Sequence, residues 1–413
     1  MSRSKKLLLA LAALAPLSAR ADGLPLSVHL YGFLNGQVEY TRALGGASPL
    51  TPHLRVSDGN SRLGLFGAWS LNDNTEVDVQ LEGLLNGFEQ GGVNDLGQTA
   101  SLMSRNSYVG VTDKRFGTLL AGYYDNAYRS LVGTGSSFGG NWGLTELGLD
   151  LWNNTSAAVS GGYQSLFGRG EARLANSVHY RSPTLFGAQL ALSYGVDEVM
   201  LEGGRRDHAS AALLYTFRGL KLGVGWDHQA NTGVDFDRLY RGEGMQLAGV
   251  NDVATNFYKI IVSYTVPRTR TYVGFGYERA VYGVAGFTQP PTGVIYTPLT
   301  FDSMSQGGAM FSVAQPVGEK LTVMGSYGKL GGLSSSAVGS GGDYKSSQFS
   351  IGAKYAFGIS FMAYAYFTRI DNGALQNVNL GVPLYSNNAG TSGAYLAPGN
   401  KPMAGGTGLI ARF

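Results

Sequence analysis

Seven tight turns alternate with eight long polar connections along this chain, and that regularity limits its fold more than any composition does. The tight turns fall at 71–75, 113–116, 182–186, 218–219, 265–270, 316–320 and 357–359. The long connections, rich in Gly, Ser, Asn and Asp, fall at about 41–59, 87–101, 125–174, 195–206, 228–255, 280–301, 331–345 and 371–404. Fifteen connections join sixteen strands. A soluble sandwich has no physical reason to sort its loops by length, whereas a transmembrane barrel puts short turns at one rim and long loops at the other.

Between the connections the residues alternate in character. From 27 to 40, Val28, Leu30, Leu34 and Val38 share one face, while His29, Tyr31, Asn35, Gln37 and Glu39 share the other. Such alternation marks a strand, since successive side chains point to opposite faces. It recurs at 62–69, 76–82, 220–227 and 348–355. Hydrocarbon offers backbone groups no water partner, so a sheet that spans a bilayer must close on itself. About eleven tilted residues cover the roughly 25 Å apolar band. Side chains cannot fill the lumen of sixteen strands, so the polar faces line water. The expected fold is all-β: a closed antiparallel 16-stranded transmembrane β-barrel with short periplasmic turns and long external loops. The segments 280–301 and 371–404 have room for one more hairpin, which leaves eighteen strands open.

Arg3, Lys5 and Lys6, an apolar run over 7–15, and Ala19-Arg20-Ala21 read as a secretory signal cleaved after Ala21. The run falls short of the roughly 20 residues that would anchor it in a bilayer. The expected domains are therefore a signal peptide at 1–21 and a barrel at 22–413. Without the signal, 27 basic residues face 28 acidic ones (31 minus Arg3, Lys5, Lys6 and Arg20), so nothing points to nucleic acid. The chain has no cysteine, so no disulfide holds the fold.

Several segments resemble the general porin family of β-proteobacteria. They include Val28-His29-Leu30-Tyr31-Gly32, Ser61-Arg62-Leu63-Gly64-Leu65, Gln80-Leu81-Glu82-Gly83 and Arg105-Asn106-Ser107-Tyr108-Val109-Gly110. Others are Phe116-Gly117-Thr118-Leu119 and Asn176-Ser177-Val178-His179-Tyr180-Arg181. The ending Leu409-Ile410-Ala411-Arg412-Phe413 is similar to the terminal aromatic signal that such barrels offer to the assembly machinery. The resemblance implies a homotrimer in the outer membrane, in contact with lipid and lipopolysaccharide. It also implies passive passage of small hydrophilic solutes and ions, and a third loop folded inward to narrow each pore.

The candidate for that loop is 125–174, which carries Glu146 and Asp150 near Trp142 and Trp152. The expected constriction sets these acids against Arg62 and Arg105, with Glu82 and Tyr123 on the wall. Opposed charges of this kind set up a transverse field. The alternative is that Glu146 and Asp150 sit on a solvated external loop. Arg62 shares the polar face with Gly64 and Phe66, and turning it to lipid would cost roughly 2–4 kcal/mol. Phe66 stands where relatives often carry a second arginine, and Ala121-Gly122-Tyr123-Tyr124 replaces their Leu-Gly-Arg-Gln. These departures imply a weaker field. Tyr40, Trp69, Tyr194, Phe217, Trp226, Tyr272, Phe357 and Phe367 are candidates for the aromatic belts.

Three functions fit this pattern: a general diffusion porin, a channel that prefers sugars or organic acids, and an adhesin or barrel enzyme. The five histidines lack zinc spacing. His179 beside Ser177 is the nearest approach to a nucleophile–base pair, and Ser177 stands in no Gly-x-Ser-x-Gly elbow. The pattern calls for no cofactor, no metal and no catalytic residue.

Overall fold

The computed structural model describes residues 20–21, 24–57, 61–85, 102–133, 166–197, 205–235, 247–285, 303–334, 341–381, 384 and 396–413. Sixteen antiparallel strands close into a barrel. β1 is Leu24–Leu44, and β2 has two segments, Leu50–Ser57 and Arg62–Ser70. β3 is Thr75–Leu85, and β4 likewise has two segments, Leu102–Ser104 and Ser107–Asp113. β5 (Gly117–Asp125), β6 (Arg173–Arg181), β7 (Ala188–Gly195) and β8 (His208–Phe217) follow. Next come β9 (Leu220–Asp235), β10 (Leu247–Thr265), β11 (Tyr272–Ala285) and β12 (Ser303–Val317). β13 (Leu321–Leu330), β14 (Ser346–Ala356), β15 (Phe361–Asn372) and β16 (Lys401–Arg412) complete the wall. β16 pairs with β1 from Lys401 opposite Leu44 to Arg412 opposite Phe33, so the sheet has no first or last strand.

The alternation read from the sequence sorts the two faces. On β1, Leu34, Val38 and Tyr40 are exposed, while Asn35, Gln37 and Glu39 keep only about 1% of their surface. The outward apolar row continues through Val79 and Leu81, Val109 and Val111, Leu222 and Val224, Ile260 and Val262, and Phe349 and Ile351. In water so large an apolar surface would drive association; against hydrocarbon it needs no cover.

All seven tight turns stand where expected. Two loops are shorter than their composition implied. β1 runs on to Leu44 and pairs with the first segment of β2, from Gln37 opposite Ser57 to Ala43 opposite Leu50, across most of 41–59. β9 and β10 likewise extend into 228–255, with a bulge between Ala230 and Thr232 where Asn231 takes φ 47°. Beyond the apolar band both faces of a strand tolerate polar residues, so polar composition there does not signal a chain break. One belt candidate also fails. Tyr272 has the inward parity of Gly274 and Gly276 and is buried, whereas Tyr40, Tyr194, Phe217, Trp226, Phe357 and Phe367 are exposed.

The described part of 371–404 is packed rather than solvated. Val378, Leu380, Leu384 and Leu396 are almost wholly buried. Gln376 donates to the Tyr344 carbonyl at 2.8 Å, and Asn400 donates to the Gly45 carbonyl at 2.7 Å. These bonds tie the segment to the short 3-10 turn Gly341–Tyr344 and to the first hairpin.

Candidate functional site

The third loop leaves β5 and turns into the lumen at once. Asn126 caps the helix α1 (Ala127–Val132), its side chain accepting from the Arg129 backbone N at 2.9 Å. Two further donors of the first turn are met by wall serines: Ala127 N by Ser193 Oγ at 2.8 Å, and Tyr128 N by Ser210 Oγ at 2.9 Å. Asn126 Nδ2 also reaches Asp227 Oδ1 on β9, at 2.6 Å. Gly223 and Gly225 leave room for the helix, since a Cβ at either would stand 2.7 Å from a Val132 methyl.

The return arm of the loop, 166–172, lies against β10, β11 and β12. Arg169 is fully buried, and its Nε sits 2.8 Å from Glu278 Oε1. Its Nη1 donates to Tyr282 Oη at 3.0 Å, and its Nη2 to the Gln306 carbonyl at 3.1 Å. Lys259 pairs with Glu171 and lies 3.6 Å from Glu278. Two cations and two carboxylates balance in this anchor. Removing one member of such a buried set leaves an uncompensated charge, at about 3–5 kcal/mol.

The opposite wall carries the predicted arginines. Arg105 Nε lies 2.6 Å from Glu82 Oε1, and Arg62 Nε 3.8 Å from Glu82 Oε2. Tyr31 donates to Glu82 Oε2 at 3.0 Å, and Gln80 donates to Tyr31 Oη at 2.6 Å. The Arg62 guanidinium lies 4.4 Å over the Phe33 ring, flat on the wall. Facing residues climb with the strand tilt from Arg412, beside the 357–360 turn, through Phe33 and Arg62 to Leu84 below the 86–101 loop. Arg62 therefore stands between the two rims.

Arg62, Glu82 and Arg105 come together, and two further arginines join them. Arg129 of α1 and Arg173 of β6 both pair with Asp125 Oδ1, at 3.0 and 3.1 Å. Arg173 also donates to Asn106 at 2.9 Å. Arg173 lies within electrostatic reach of Arg62 and Arg105. Among the described residues, four guanidiniums share two carboxylates. Arg129 and Arg173 escaped the sequence reading. The four-residue step from Asp125 to Arg129 was the one signal available, and it means something only if a helix follows β5.

Tyr123 has the parity of the outward Leu119 and stands beside this cluster, within electrostatic reach of Arg129 and Arg173. Tyr124 is the inward aromatic, its ring 5.1 Å from Tyr108 and 5.3 Å from His179. Phe66 also lines the lumen. Glu146 and Asp150 lie outside the described residues.

Ser177 and His179 do meet, Oγ to Nε2, at 2.7 Å. The single hydroxyl proton of Ser177 is taken by the Gly122 or Leu174 carbonyl, 2.8 and 2.7 Å away. Its oxygen therefore accepts from the ring, the reverse of a nucleophile activated by a base.

The barrel is similar to an anion-selective porin from Comamonas acidovorans: TM-score 0.63, 17% identity, 94% of this chain and 100% of that one. It is also similar to OmpT, an outer membrane protein of Vibrio cholerae (0.60, 15%, 96% and 99%). A third match is OmpF of Salmonella typhi, solved with daunomycin (0.57, 14%, 94% and 98%). No curated protein matches the sequence significantly. A family model described as Gram-negative porin matches residues 8–375. The chain belongs to that family, and its barrel is an outer-membrane channel for passive diffusion of small hydrophilic solutes.

Proposed function

We propose that diffusion through this channel is gated in size and charge at the third loop, where Arg62, Arg105, Arg129 and Arg173 face the solute path. The observation that carries this reading is the excess, among the described residues, of four guanidiniums over two carboxylates on one wall. A lumen with low-dielectric walls focuses such a field and raises the local concentration of anions. The pore therefore favours anions, in keeping with the anion selectivity of the Comamonas porin it is similar to. Glu146 and Asp150 of the loop supply the opposing charge, and Tyr123 joins the constriction beside Arg129 and Arg173.

In this reading residues 1–21 are a signal peptide removed on export, and 22–413 form the barrel domain. Three copies assemble through their apolar outer faces, as a Vibrio cholerae OmpT structure described as a trimer form does. Phe413 presents the assembly signal, and the outer leaflet brings lipopolysaccharide against the barrel. Reversal potential in a KCl gradient tests the charge assignment. The wild type should show anion preference, and Arg62→Ala with Arg105→Ala should shift it toward cations. An unchanged potential in that double variant would remove the arginine wall from the selectivity filter.

A further inference from the structure

On the outward face, four strands that rise from the tight turns end their apolar rows alike, with an exposed aromatic and then a cation two residues further on. The pairs are Tyr277 and Arg279 on β11, Tyr327 and Lys329 on β13, Phe367 and Arg369 on β15, and Tyr40 and Arg42 on β1. β7 and β9 carry the aromatic, Tyr194 or Trp226, but follow it with Val196 or His228. Most of the cations at this rim have partners. Arg369 pairs with Asp371 at 2.7 Å, and Arg42 Nε lies 3.0 Å from Met403 Sδ. Where β7 meets β8, Arg205 pairs with Asp207 and Arg206 with Asp197. Arg279 and Lys329 are exposed, and among the described residues no carboxylate pairs with either.

The register places these two cations on either side of β12. Arg279 faces Gly307 and Lys329 faces Ala309, so two strand spacings and one two-residue step separate their Cα atoms, roughly 12 Å. The outward residues between them, Ser305, Gly307 and Ala309, are small. Arg279 Nη2 donates to Ser305 Oγ at 3.2 Å, which sets the guanidinium over this floor. Tyr277 leans over Gly307, where a Cβ would stand 2.8 Å from Tyr277 Oη, and Tyr258 faces Arg279 from β10. Toward the turns, Ile260, Phe275 and Phe311 continue the exposed apolar surface.

Charge and shape narrow the occupant. A guanidinium fork and an ammonium without carboxylates call for phosphate oxygens. The tyrosines offer apolar faces to a sugar ring and hydroxyls to its polar edge. A second barrel is a poor fit: burying these cations would demand carboxylates, and Asp197, Asp207 and Asp371 are already paired.

We propose that the outer wall from β10 to β13 is a docking surface for the phosphorylated disaccharide headgroup of lipopolysaccharide. Arg279 takes one phosphate and Lys329 the other, about a disaccharide's length away. Tyr258 and Tyr277 pack against the sugar, and the acyl chains run down the apolar surface toward the turns. The inference rests on the outer-membrane placement proposed above and goes beyond it, because it fixes the contact to one arc of the barrel.

Titration of the purified full-length protein in detergent with diphosphorylated lipid A, followed by native mass spectrometry, tests this. Saturable binding is expected, at least about tenfold weaker for lipid A stripped of its phosphates, and not displaced by phosphatidylglycerol. Arg279→Gln should weaken it about tenfold, the loss of one charge-assisted hydrogen bond, and Lys329→Gln severalfold. Arg205→Gln, at the β7–β8 rim, should leave it unchanged. Conductance steps from the same preparation read the channel separately, so lost lipid binding with steps intact strikes the headgroup site alone. Equal affinity in the wild type and the Arg279 and Lys329 variants, undiminished binding of the dephosphorylated lipid, or displacement by phosphatidylglycerol would each overturn the proposal. An equal loss in Arg205→Gln would do so too, since it would reduce the site to diffuse charge.

Discussion

Glu278 accepts from Arg169 and faces Lys259, so a single carboxylate supports two buried cations. Glu278→Gln should loosen the return arm of the third loop by about 3–5 kcal/mol, read as increased open-channel current noise with the barrel intact. On the other side of the loop, Gly225 touches α1 directly. Gly225→Val should force the helix off the wall at a cost of about 1–3 kcal/mol. It should also lower single-channel conductance, because the displaced helix moves toward the pore axis. Arg62 was legible in the sequence because turning it to lipid is expensive. Arg129 and Arg173 were not, since the contacts that fold the loop inward join residues as distant as Asn126 and Asp227. Tyr124, rather than Tyr123, shares the inward parity of Leu120, so alternation along β5 was the signal that marks it.

At the scale of elements, tight turns were legible and strand ends were not. A turn interrupts alternation on both faces at once, whereas polar residues beyond the apolar band continue a strand without showing it. The segment after β15 was the least legible, because its Gly and Asn content resembles a solvated loop while Val378 and Leu380 are buried. Leu380→Ala should cost about 2–5 kcal/mol of local stability. Limited proteolysis should then cut between β15 and β16 faster than in the wild type, while the barrel keeps its resistance to heat in detergent. Equal cleavage rates would show that this packing does not hold the loop.

At the scale of the whole molecule, closure between β16 and β1 is what makes a chain with so few charged residues viable in a bilayer. It satisfies the ladder around the ring and separates an apolar exterior from a polar lumen. The same closure commits the lumen to water, and the third loop only narrows it. Planar-bilayer recording of the purified protein at low voltage in KCl tests this most directly. A passive, wet pore predicts discrete conductance steps, linear in voltage and in salt concentration. Protein that inserts as a heat-resistant barrel yet gives no steps would contradict it.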